Sequence, residues 1–125
     1  MAHLGEREAA ISGRWLREQA LNQSPISIPN LCTAEIAGAL SRLTGDAISA
    51  LDTIHLIAGE FPNLQVIALD DTLGTRAMEL AARFRLKGSD AVYVATAESL
   101  GAPLVTWDEE VLERAAAIVQ VMKPA

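Results

Sequence analysis

Several things are scarce in this chain, and each scarcity excludes something. There is one cysteine, Cys32, so no disulfide can form within the chain, and the two histidines, His3 and His55, are too far apart in sequence to suggest a ligand pair. The default expectation is an intracellular, reducing compartment. No apolar run approaches the length that crosses a bilayer. The amino-terminal stretch MAHLGEREAAISGRW is charged and helical in pattern, not a basic segment followed by an apolar one, so it does not read as an export signal. A soluble, cytoplasmic protein with no membrane partner is expected. Positive charge is also in short supply: 10 Lys and Arg face 16 Asp and Glu, a formal net charge of −6. That balance argues against nonspecific clinging to nucleic acid, but a site working through bound cations needs local negative charge, so a phosphodiester substrate stays open. No internal repeat, linker or low-complexity tract is visible.

What is present suits one domain. With 125 residues, half of them apolar, the chain can bury a core without disulfides or structural zinc. From about Leu4 to Leu21, Ile11, Trp15, Leu16 and Leu21 recur at helical spacing among Glu and Arg, which reads as an amphipathic surface helix ended by Asn22, Ser24 and Pro25. Ile26, Ser27 and Ile28 form a short strand closed by Pro29. Leu31, Ile36, Ala39, Leu40 and Leu43 restore the helical period up to Gly45, and Asp46 caps a further helix carrying Ile48, Leu51, Ile54 and Leu56. Phe61-Pro62-Asn63 is a break, after which Leu64 to Leu69 has the character of a buried parallel strand. Asp70 to Thr72 cap a helix to about Leu86, and Gly88-Ser89 make a turn. Asp90 to Leu100 is an Ala-rich helix, Leu104-Val105-Thr106 a strand, Asp108 to Ala115 a helix and Ala117 to Met122 a final strand. Strands separated by helices imply parallel pairing with right-handed crossovers, hence an α/β sandwich.

In open parallel sheets the functional crevice lies beyond the carboxyl ends of the strands. Three acidic residues fall there: Glu35 after the first strand, Asp90 opening its helix after a glycine turn, and Asp108 after the strand ending at Thr106. Carboxylates on one rim repel each other unless a cation sits among them, and all-oxygen ligands suit Mg2+ or Mn2+. Such ions lower the pKa of a bound water and neutralise a phosphate oxygen, so the pattern points to phosphodiester hydrolysis. Each residue also has a plainer reading. Asp90 and Asp108 stand where helix caps are expected, Glu35 where the helix dipole favours an acid, and Asp70 and Asp71 read as turn and cap residues. Arg83, Arg85 and Lys87 either meet RNA phosphates or form a solvated helix end. Trp107 either stacks on a base or packs, and His55 reads as partly buried structure.

Two blocks resemble the PIN domains, in particular the VapC-like toxins of toxin–antitoxin pairs. Gly88-Ser89-Asp90-Ala91-Val92-Tyr93-Val94-Ala95-Thr96-Ala97, continuing through Gly101-Ala102-Pro103-Leu104-Val105-Thr106-Trp107-Asp108, looks like the family's D-A-x-x-x-A-x-A segment and L-V-T-x-D strand end. Glu35-Ile36-Ala37-Gly38-Ala39-Leu40 looks like its E-x-x-x-x-L helix. The resemblance covers about residues 8 to 122. It implies a three-layer sandwich with a parallel sheet flanked by helices, a Mg2+ or Mn2+ site at Glu35, Asp90 and Asp108 with Thr106 in support, and RNA cleavage. It also implies a small antitoxin partner and a homodimer. The family's opening strand, V-L-D-x-S with its own acidic ligand, has no counterpart, because this chain starts in the helix that should follow. Burying its neighbours unpaired would be costly, so a longer reading frame, a rearranged sheet or a strand lent by a partner is expected. A PIN-like scaffold with impaired catalysis is the competing function. A phosphoacceptor receiver built on Asp70-Asp71 is disfavoured because no suitably placed lysine follows a later strand.

Overall fold

Leu73, Ala77 and Leu80 recur three and four apart, and that stripe decides where the core lies: all three are buried on one face of their helix. The computed structural model describes residues 5–125. In chain order its elements are α1 (Glu6–Leu21), β1 (Ile26–Pro29), α2 (Asn30–Thr44), α3 (Ala47–Glu60), β2 (Leu64–Ile67), α4 (Asp71–Phe84), α5 (Gly88–Leu100), β3 (Leu104–Val105), α6 (Glu109–Arg114) and β4 (Val121–Met122). They fall into two units, one of Gln19–Ala68 and one of the residues up to Glu18 together with Leu69–Ala125. His3 and the expected helix start at Leu4 lie outside the described residues.

In the unit containing the carboxyl-terminal half, α4 packs on α5. α5 buries Ala91, Val92, Val94, Ala95, Thr96 and Ala97, so it is covered on more than one side, and its alanines permit close approach by its neighbours. Leu80 and Val94 are wholly buried, each stabilising the fold by roughly 1.5–3 kcal/mol. The hydroxyl of buried Thr96 donates to the Val92 carbonyl at 2.7 Å, so its polarity costs little there. Gly101 ends α5 at φ +60°, a left-handed cap that a side chain would strain. β3 and β4 then pair in parallel, Leu104 with Val121 and Val105 with Met122. Arg76 of α4 clasps Glu98 of α5 through two bonds of 2.7 and 2.8 Å.

The Gln19–Ala68 unit pairs β1 with β2 in parallel, Ile26 with Leu64 through Pro29 with Ile67. The Asn63 side-chain amide donates to the Gln23 carbonyl at 2.7 Å and anchors the approach to that pair. α2 and α3 form a helical hairpin: Gly45 closes α2 at φ +68°, and Asp46 caps α3 by accepting from the Ile48 N–H at 3.0 Å.

The expected parallel α/β class holds, with helices between the strands, and among the described residues the strands form two parallel pairs. Some local expectations need correction. Gly88 and Ser89 are helical residues of α5 and not a turn, because Lys87, extended at φ −61° and ψ 150°, already serves as the cap position. The Leu64–Leu69 strand stops at Ile67 and leaves Gln65 and Val66 exposed, so it is not the buried strand its composition suggested. His55 is exposed, since α3 turns its Ala50 side inward instead.

Candidate functional site

The loop entering α5 sets the position of Asp90. α4 ends at Arg85, which adopts a left-handed backbone at φ +57°, a conformation costing a non-glycine residue about 1–2 kcal/mol. The Arg85 carbonyl accepts from Arg114 Nη1 of α6, and the same guanidinium nitrogen pairs with Glu110 Oε1 at 2.7 Å. The chain ahead of Asp90 is therefore held by the helix that Asp108 caps. Asp90 itself is half-buried and lies in the first turn of α5, two residues past its first, Gly88. It does not occupy the cap position, which belongs to Lys87.

Asp108 does cap α6. Its Oδ1 accepts from the N–H groups of Glu110 at 2.9 Å and Val111 at 3.1 Å. Its own N–H donates to Thr106 Oγ1 at 3.1 Å, so the hydroxyl at the end of β3 orients the carboxylate's backbone. Trp107 between them is half-buried and donates its indole N–H to Ser12 Oγ of α1 at 2.6 Å. That bond supports packing as the tryptophan's role.

Glu35 belongs to the other unit. It is half-buried on α2, and because that helix starts at Asn30 it falls in the second turn, past the reach of a first-turn dipole effect. Asp70 caps α4 by accepting from the Leu73 N–H at 2.8 Å, and Asp71 is in the same helix's first turn, which is what their positions in the sequence suggested. Arg83, Arg85 and Lys87 are all exposed.

Asp90, Thr106 and Asp108 fall in one unit and Glu35 in the other, and no group of three or more His, Cys, Asp or Glu side chains able to hold a metal ion is found among the described residues. By donor chemistry, carboxylate oxygens suit a hard divalent cation. Arg114 is the residue that sequence reasoning missed. Its spacing from Glu110 announces a helical ion pair, but nothing in the sequence announces its reach to a carbonyl 29 residues away.

The PIN domain family matches residues 1–118. The chain belongs to this family. Its mixed α/β architecture with parallel strand pairing is of the PIN type. PIN domains are generally nucleases acting on nucleic acid, often metal-dependent ribonucleases that use ions such as Mg2+ or Mn2+. No curated protein matches the chain at a significant level. Among the described residues no helix is long and apolar enough to cross a membrane.

Proposed function

We propose that this PIN domain is a metal-dependent endoribonuclease, the toxin of a VapC-like toxin–antitoxin pair, acting in the cytoplasm as a homodimer restrained by a small antitoxin. The observation that carries the proposal is the family match over residues 1–118, within which Asp90 and Asp108 stand at the starts of two helices braced by one arginine. Glu35, Asp90 and Asp108 would hold Mg2+ or Mn2+ through their carboxylates. When bound, such an ion makes a water more acidic and offsets charge on a phosphate oxygen. The protein's own share is positional. Thr106 fixes the backbone of Asp108, the α6 N–H groups fix its Oδ1, and Arg114 fixes the approach to Asp90. The exposed Arg83, Arg85 and Lys87 meet RNA phosphates as it approaches.

The test is cleavage of a mixed RNA pool with EDTA, Mg2+ or Mn2+, with Asp90→Asn as the control for contaminating nuclease. Metal-dependent cutting lost in the variant supports the assignment; cutting that survives in the variant removes Asp90 from the site.

A second reading is a PIN scaffold with impaired catalysis that binds protein or RNA. It is favoured by the lack of a three-carboxylate group able to hold a metal ion among the described residues. It predicts a stable fold with no metal-dependent turnover in the same assay.

A further inference from the structure

Trp107 stands between Thr106, at the end of the β3 ladder, and Asp108, the cap of α6, and its indole reaches across to α1. The bonds that shape this segment are local. The Asp108 N–H donates to Thr106 Oγ1, Asp108 Oδ1 accepts from the N–H groups of Glu110 and Val111, and the Asp108 carbonyl accepts from the Leu112 N–H. Each joins residues no more than four apart, so together they set the form of the segment and not its place in the unit. Its place is set by bonds of longer reach, and two of them fall within two residues of Asp108. The Thr106 N–H donates to the Met122 carbonyl at 2.9 Å and carries the β3–β4 ladder one residue past the strand. The Trp107 indole N–H then donates to Ser12 Oγ at 2.6 Å, across 95 positions of sequence.

An indole N–H can only donate, and when half-buried it calls for an acceptor. Ser12, itself half-buried on α1, supplies one. A helix interior gives no reason for a serine at that position, since alanine is the better helix former and the hydroxyl competes with the backbone for hydrogen bonds. A carboxylate that ligates a cation has to be held to within about 0.5 Å. Asp108 follows Trp107 by a single peptide, so movement allowed to the indole is passed on to the carboxylate. We propose that Ser12 is a positioning residue of the nuclease site, holding Asp108 in place for the cation through the Trp107 indole. The inference rests on the ribonuclease reading above and extends its site to α1.

Calorimetric titration of the full chain with Mn2+ reads the effect without turnover. Loss of a group that orients a metal ligand directly weakens binding roughly 10–100-fold, and Ser12 acts one bond further out, so about three- to tenfold is expected. Ser12→Ala removes the acceptor, and Trp107→Phe removes the donor while keeping an aromatic ring. Because both break one bond, the double variant should bind Mn2+ no more weakly than Trp107→Phe alone. Ser12→Thr keeps the hydroxyl and should bind like the parent chain. Alanine favours the helix, so Ser12→Ala keeps its urea midpoint, and in RNA cleavage it loses kcat by a similar factor with KM unchanged. Parent-like Mn2+ binding by Ser12→Ala, or penalties that add in the double variant, overturns the positioning role and leaves the ribonuclease standing. A parent chain that neither binds Mn2+ nor cuts RNA overturns both.

Discussion

The two units of this chain are close in secondary-structure content and far apart in how they are covered. Among the described residues, the buried apolar side chains other than Pro29 and Ala50 all lie between Leu73 and Ala115, in the unit built on α4 and α5. The Gln19–Ala68 unit instead holds most of the large apolar side chains left in solvent, among them Leu21 and Leu43 at over 80% exposed, with Ile48, Leu56 and Val66. Both units contain one parallel pair of strands. Parallel sheets are ordinarily buried on both faces, and two strands alone are marginal in water. The difference teaches that one unit supplies its own hydrophobic stabilisation and the other depends on surface it can share. The proposed nuclease carboxylates are divided along the same line, with Asp90 and Asp108 on the well-packed side and Glu35 on the sparsely packed one.

The sharpest way to break that comparison is a pair of truncations. Leu80→Ala in α4 removes a fully buried side chain and is expected to cost 2–5 kcal/mol, roughly, in urea unfolding. Leu56→Ala in α3, at 71% exposed, is expected to change stability by less than about 0.5 kcal/mol in dilute solution. Equal costs would show that Leu56 is covered and that the contrast is false. Amide exchange read in the same samples should be faster through α3 and β2 than through α5, because few apolar contacts protect them.

That contrast also explains how much could be read from the sequence. The α4 stripe and the Ala-rich α5 were legible because periodicity and composition report local burial directly. Asp46, Asp70 and Asp108 were legible as caps because a cap is satisfied by N–H groups two or three residues away. The β2 strand misled: its apolar, β-branched run describes a strand with both faces covered, and exposed Val66 shows that coverage is a tertiary property no window of sequence contains. His55 misled for the same reason, since an apolar helix does not say which of its sides is turned inward. The family motifs marked Glu35, Asp90 and Asp108, but the brace from Arg114 to the Arg85 carbonyl depends on the fold and has no local signature.

A smaller effect separates fold from chemistry within the well-packed unit. Asp108→Ala removes both bonds at the start of α6 and is expected to cost about 1 kcal/mol. Asp108→Asn keeps a good capping group and should leave the unfolding midpoint nearly unchanged while abolishing metal-dependent RNA cleavage. If the Asn variant cuts RNA normally, Asp108 is a cap and nothing more. Arg85→Gly tests the approach to Asp90 in the opposite direction: relief of the left-handed backbone should raise stability by about 0.5–1 kcal/mol in thermal melts while RNA binding weakens through the lost charge.

The smallest effects concern acid, and they compare one carboxylate in each unit. Two hydrogen bonds from the Arg76 guanidinium hold Glu98 below the ordinary carboxylate range, against the opposing pull of burial. Asp46 is also lowered, chiefly by the Ser49 hydroxyl donating at 2.8 Å, and then by backbone N–H groups. In both cases the folded state binds its proton less readily than the unfolded chain. The stabilisation is therefore present at neutral pH and is lost as pH falls from the ordinary carboxylate range through the lowered folded value. Glu98→Gln and Asp46→Asn should each flatten the acid limb of stability against pH, slightly, because both pairs are largely solvated. Salt distinguishes them. The Glu98 partner is a cation and its contribution should shrink as ionic strength rises, whereas the Asp46 partners are neutral donors and its contribution should persist. Equal salt sensitivity at the two positions would mean that long-range charge, and not these local bonds, sets the acid response of both units.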